Sequence, residues 1–199
     1  MTRDTFWTIE GLGEGEYRNK GSRFIAYARH VTSKQQVKAW YSSLRNEHLK
    51  AVHICYGCRL GPFYDSHMAN DDGEPSGSAG LPILGQIDSF NLTNTAVMVV
   101  RYFGGVLLGI PGLIKAYKTA TREALSVSTV VKQKICKRVQ LDCEYKDMRQ
   151  LLYRIKQLGG QVINQATELR CKLVVDIPIE EYERFLACLS HTVVIGEQK

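Results

Sequence analysis

The 199 residues predict an α+β chain in two parts, and three observations carry the prediction. Apolar residues recur with period two in some segments and with the helical period in others, so strands and helices are both present. From about residue 132 the segments run β-α-β-β-α-β. Between the parts, a helical pattern ends in Ser126, Ser128 and Thr129, and the polar Lys132-Gln133-Lys134 follows. The parts are therefore bounded as residues 1–131 and 132–199.

Taken in order, Phe6 to Glu10 and Phe24 to Val31 are β-rich, and the charged, Gly-punctuated stretch Gly11 to Gly21 is predicted to be an exposed connection between two paired strands. Ser33, with Gln36 three residues on, predicts a helix cap, and Val37, Trp40, Tyr41 and Leu44 form one buried face of a helix reaching about Leu49. Ala51 to Leu60 alternates as a strand, with Ile54, Tyr56 and Cys58 on one side and His53, Cys55 and Arg59 on the other. Gly61 to Ser78 reads as a long polar loop, of a length that usually accompanies function or disorder. A short helix is predicted near Ala79 with Pro82 in its first turn. Thr95 to Phe103 is a β-branched run that fits a buried strand. Leu113 to Val127 is predicted helical, with Leu113, Tyr117, Ala120 and Ala124 inward and Lys115, Lys118 and Arg122 as the opposite stripe.

In the second part, Ile135 to Glu144 is predicted as a strand, and Tyr145 to Leu158 as an amphipathic helix stopped by Gly159-Gly160. Strands over Gln161 to Thr167 and Leu169 to Ile177, a helix over Ile179 to Ser190 and a strand over Val193 to Ile195 complete the ferredoxin-like plan.

Composition narrows the function classes. An apolar content of 44% with 23% charged residues fits a globular protein. No apolar run approaches the roughly 20 residues that span a bilayer, and no export leader opens the sequence, so a cytoplasmic protein with no membrane partner is expected. Six scattered cysteines are then expected as reduced thiols. The net charge of +6 is mild and even, with 14 basic and 11 acidic residues in 1–131 and 12 and 9 in 132–199. It permits an acidic partner such as RNA without concentrating charge in an arm, and nothing points to specificity for DNA.

Two stretches carry the candidate chemistry. The first is Asp71-Asp72-Gly73-Glu74-Pro75-Ser76-Gly77-Ser78-Ala79-Gly80, within a Leu60–Val100 span that has no Lys or Arg. Its carboxylates Asp71, Asp72 and Glu74 could chelate a hard cation, cap the helix that follows, or face the Lys115 stripe. His53, with Asp72 and Glu74, is a candidate proton carrier for catalysis. The second is Arg101-Tyr102-Phe103-Gly104-Gly105 through Gly109 and Gly112, a Gly-rich turn between a strand and a helix. Gly104 and Gly109 have P-loop spacing, but Ile110-Pro111 stands where a P-loop needs Lys and Ser or Thr, which excludes a nucleotide P-loop. A phosphate or RNA-backbone site built from Arg101, Gly104, Gly105, Gly109, Lys115, Lys118 and Arg122 stays open beside a purely structural use of the glycines. Cys55 and Cys58 have C-x-x-C spacing, yet a strand turns them to opposite sides. No G-x-S-x-G elbow surrounds Ser76 or Ser78.

These residues also carry a family likeness. His53-Ile54-Cys55-Tyr56 with Arg59, the Asp71 to Gly80 stretch, and Val100 to Gly105 with Leu108-Gly109 and Gly112-Leu113 closely resemble the IMPACT family in its bacterial YigZ-like branch. Ser78 stands where Thr is usual, Lys115 where Arg is usual, and Gly57 where Ala is usual. The resemblance implies an N-terminal α/β domain similar to the second domain of ribosomal protein S-five, followed by a ferredoxin-like domain, a pair similar to the fourth and fifth domains of elongation factor G. It therefore implies contact with RNA, the ribosome or a translation-related protein partner. No cofactor is expected. The eukaryotic relatives regulate a translation-control kinase through an additional N-terminal domain absent from this sequence, so that role is not expected here. The expected function is translation-associated binding; the alternative is an enzyme acting on a small phosphorylated or amide substrate where the acidic loop meets the Gly-rich turn.

Overall fold

The computed structural model describes residues 4–167, 169–189 and 194–196. The chain divides into two compact units, Phe6–Gln133 and a second made of Lys134–Lys199 with Met1–Thr5.

The first unit contains β1 (Thr5–Glu10), β2 (Leu12–Asn19), β3 (Ser22–His30), α1 (Lys34–Glu47), β4 (His53–Leu60), β5 (Ser66–Asn70), α2 (Gly80–Ser89), β6 (Thr95–Tyr102), α3 (Gly109–Val127) and β7 (Thr129–Lys134). Five strands form an antiparallel sheet in the order β2-β3-β6-β4-β5, and β1 pairs separately with β7. Strand β6 lies at the centre and is buried from Thr95 to Arg101 because both sheet faces are covered, which is why it reads as a continuous apolar run. On one face α2 and α3 pack Ile83, Ile87, Leu113, Tyr117 and Ala120 against Phe24, Cys55, Val97 and Val99. On the other, α1 packs Val37 and Leu44 against Ile54, Cys58, Met98 and Val100. Cys55 and Cys58 thus enter different cores, as the alternation requires.

The cap of α1 forms as expected: Gln36 N donates to Ser33 Oγ at 3.2 Å, and Thr32 N donates to Gln36 Oε1 at 2.8 Å. Two expected connections are corrected. The Gly11 to Gly21 stretch is itself strand β2, whose glycines serve packing: a Cβ on Gly15 would lie 2.4 Å from Ala124 N, so α3 rests directly on the strand backbone. The Gly61 to Ser78 loop contains edge strand β5, which pairs with Tyr56–Leu60 despite its polar sequence. Helix α3 also begins a turn earlier than predicted, at Gly109.

In the second unit, β8 (Cys136–Cys143), α4 (Tyr145–Gln157), β9 (Gln161–Thr167), β10 (Cys171–Pro178), α5 (Tyr182–Ala187) and β11 (Val194–Gly196) give an antiparallel sheet in the order β11-β8-β10-β9. This is the ferredoxin-like arrangement, with Val139, Leu141, Leu173, Val175 and Ile177 packed under Leu151, Ile155 and Phe185. The last helix is shorter than predicted: Ile179–Glu181 is a 3-10 turn, and α5 stops at Ala187. The expected positions Ser190 and Val193 lie outside the described residues. All six cysteines are free thiols.

Candidate functional site

The acidic loop sits between β5 and α2, and each of its carboxylates is directed to a different element. Asp71 accepts three main-chain N–H bonds at the start of α2, from Gly77 (2.9 Å), Ala79 (3.0 Å) and Gly80 (2.8 Å). Partial burial would raise its pKa, but those three bonds outweigh burial and hold it below the ordinary aspartate value. Asp72, in a left-handed conformation at φ +46°, accepts from Tyr41 Oη (2.9 Å), Arg45 Nη2 (2.5 Å) and Ile54 N (2.6 Å). It ties α1 to β4. Glu74 goes to the opposite face of the sheet and accepts from Arg101 Nη1 (2.6 Å) and Tyr117 Oη (2.7 Å). The three residues therefore clip both helical layers to one sheet end.

The Glu74 cluster is almost dry. The side chains of Arg101 and Glu74 are 6% and 3% exposed, and Cys55 Sγ donates to Tyr117 Oη at 3.3 Å. Burial pushes both the Cys55 thiol and the Tyr117 phenol far above their ordinary ranges, so the thiol stays protonated and unreactive. Arg101, read from the sequence as a phosphate contact, is placed inside, with its guanidinium 5.4 Å from the Phe24 ring and 5.6 Å from the Phe103 ring.

This geometry bears on the alternatives the sequence left open. Asp71, Asp72 and Glu74 do not converge on a cation, and among the described residues no group of three or more His, Cys, Asp or Glu side chains is arranged to hold a metal. Nor do they face the Lys115 stripe; their charge partners are Arg45 and Arg101. Of the candidate catalytic residues, His53 meets the acidic loop at the Asp72 main chain, while the carboxylates of Asp72 and Glu74 are bound to other partners. His53 Nδ1 donates to the main-chain carbonyl of Asp72 at 2.7 Å, which fixes its Nδ1–H tautomer, while the Asp72 and Glu74 carboxylates serve opposite layers. Arg59 is bound in a bidentate pair to Asp88 at 2.6 and 2.8 Å.

The Gly-rich turn is different in character. Gly104 lies against the β2–β3 turn so closely that a Cβ would come within 1.9 Å of the Gly21 carbonyl carbon, and its N–H donates to Ser22 Oγ at 3.1 Å. Among the described residues no side chain caps α3. Phe103, Val106, Leu107 and Ile110 stand exposed around the turn. Beyond it, a groove of about 430 Å³ runs along α3, lined by Gln86 of α2 and by Pro111, Ile114, Lys115, Lys118, Thr119 and Arg122. Among the described residues neither lysine nor Arg122 forms an ion pair, so three cations face one open groove uncompensated.

The family described as the Impact N-terminal domain matches residues 20–125, the span that contains both the acidic clip and the groove. The chain belongs to the IMPACT family. The IMPACT family member YigZ of Escherichia coli K12 is 35% identical over 173 residues, 86% of this chain and 85% of that protein. The IMPACT family member YvyE of Bacillus subtilis 168 is 35% identical over 141 residues, 71% of this chain and 65% of that protein. A crystal structure described as that of an hypothetical protein superposes with a TM-score of 0.76 at 30% identity, covering 100% of this chain and 99% of the other. The chain is thus a YigZ-like IMPACT family member over most of its length.

Several residues that build this IMPACT site were not singled out by sequence reasoning. Tyr41 and Arg45 lie four apart on α1, and nothing local to that helix points to Asp72. Tyr117 did carry a signal, because a tyrosine on the inward face of a helix needs a partner for its hydroxyl.

Proposed function

We propose that this chain is a non-enzymatic, translation-associated binding protein that lays the Lys115, Lys118 and Arg122 stripe, with the Gly104–Gly112 turn at its head, against RNA phosphate on the ribosome. The observation that carries the reading is the groove itself: three cations, none paired with a carboxylate among the described residues, line it beside a helix start with no side-chain cap. Phosphate oxygens suit both the cations and free main-chain N–H groups. The IMPACT family likeness supports the translation context, and the commitment of Asp71, Asp72 and Glu74 to structural bonds favours binding over catalysis.

The test is sedimentation of the native protein with ribosomes, with and without ribonuclease and at two salt concentrations. Co-migration that ribonuclease and high salt abolish, and that K115A/K118A loses, is the expected result. Co-migration that resists ribonuclease would assign a protein partner instead, and no association at all would overturn the reading.

A further inference from the structure

Phe103 follows the last residue of the central strand, at the start of the turn that leads into α3 and its cationic groove, and the residue is 46% exposed. Exposed large apolar side chains gathered on one turn, rather than scattered singly, mark a candidate contact surface. The backbone that carries it is fixed on both sides. The strand before it is paired residue by residue, with Tyr102 opposite Arg23, and the next residue, Gly104, is fixed against Gly21 and Ser22. The Arg101 guanidinium, anchored by Glu74 and by the buried Phe24 ring, lies 5.6 Å from the Phe103 centroid. A cation so placed draws on the π electrons of the ring and reduces the repulsion that an electron-rich base would meet on stacking. Val106, Leu107 and Ile110 add exposed apolar surface along the same turn.

We infer that Phe103 is a stacking platform for an unpaired base, so that the ligand of the groove is single-stranded rather than duplex RNA. Bases in a duplex are stacked on one another and closed to side chains, whereas those of a single strand splay onto aromatic rings while cations follow the phosphates. Arg101 then supports recognition from beneath the ring and touches no phosphate. The inference rests on the RNA reading above and specifies its substrate class.

The test uses the full chain with a labelled single-stranded oligoribonucleotide and a hairpin duplex of the same composition, followed by fluorescence anisotropy at one salt concentration. The single strand is expected to bind more tightly. Phe103→Ala is expected to weaken it about tenfold or more while leaving duplex binding nearly unchanged. Phe103→Trp is expected to keep the affinity, and its added emission, measured against the wild-type Trp7 and Trp40 background, is expected to be quenched by the single strand. Phe103→Ala binding as wild type, or Phe103→Trp emission unmoved at saturation, overturns the platform. If K115A/K118A loses both RNAs while Phe103→Ala loses neither, the groove reading stands and the platform falls. If wild type binds neither RNA, both fall.

Discussion

Arg101 Nη1 donates to Glu74 Oε1 across 2.6 Å in a region from which water is almost wholly excluded. Removing one partner of such a pair leaves the other charged and buried. Glu74→Ala is therefore expected to destabilise the first unit by about 3–5 kcal/mol. Urea unfolding of the variant checks this, and adding Arg101→Met should recover part of the loss, because the uncompensated guanidinium is then gone.

Asp71 gives stability a dependence on acid. Its folded pKa is lowered, so its contribution is complete above the unfolded value near 3.9 and is lost as pH falls through the folded value. Asp71→Ala should cost about 0.5–2 kcal/mol at neutral pH, the range for a lost helix cap. The difference from wild type should shrink as pH drops below about 4. Thermal unfolding of both proteins across that range measures it.

Gly104 has no room for a side chain against Gly21. Gly104→Ala must push the β2–β3 turn away from the end of β6, and a cost of about 1–3 kcal/mol is expected, as for other overpacked sites. Because Phe103 moves with that backbone, single-strand RNA affinity should fall in the same variant, measured well below its unfolding temperature.

Among the described residues Lys115 and Lys118 hold no ion pair, so K115A/K118A should change stability by no more than about 0.5 kcal/mol. In binding it should flatten the dependence of log K on log salt by about 1.4, at roughly 0.7 for each single-strand phosphate that is no longer neutralised. Anisotropy titrations at several salt concentrations give the slope.

Most of the fold was legible because periodicity is a local property. The capped α1, the buried run of β6 and the βαββαβ order of the second unit all follow from local pattern. The errors fall where a residue's reason is distant. Gly13 and Gly15 look like turn glycines, yet they are small because α3 lies on them from more than a hundred residues away. Ser66–Asn70 is too polar to announce a strand, and pairing with β4 makes it one. The site was half legible for the same reason. The cationic stripe of α3 shows in its helical spacing, whereas the partners of Asp72 and Glu74 are set by tertiary placement and left no pattern in the sequence.

One short segment bonds to elements on both faces of the sheet: Asp72 holds α1, and Glu74, two residues away, holds Arg101 and Tyr117. Loosening either helical layer breaks bonds to residues 72–74, which also hold the other. Amides in α1 and α3 should therefore exchange with solvent as one cooperative unit, and the apolar turn beside the groove is mounted on a frame that opens only when the whole unit does.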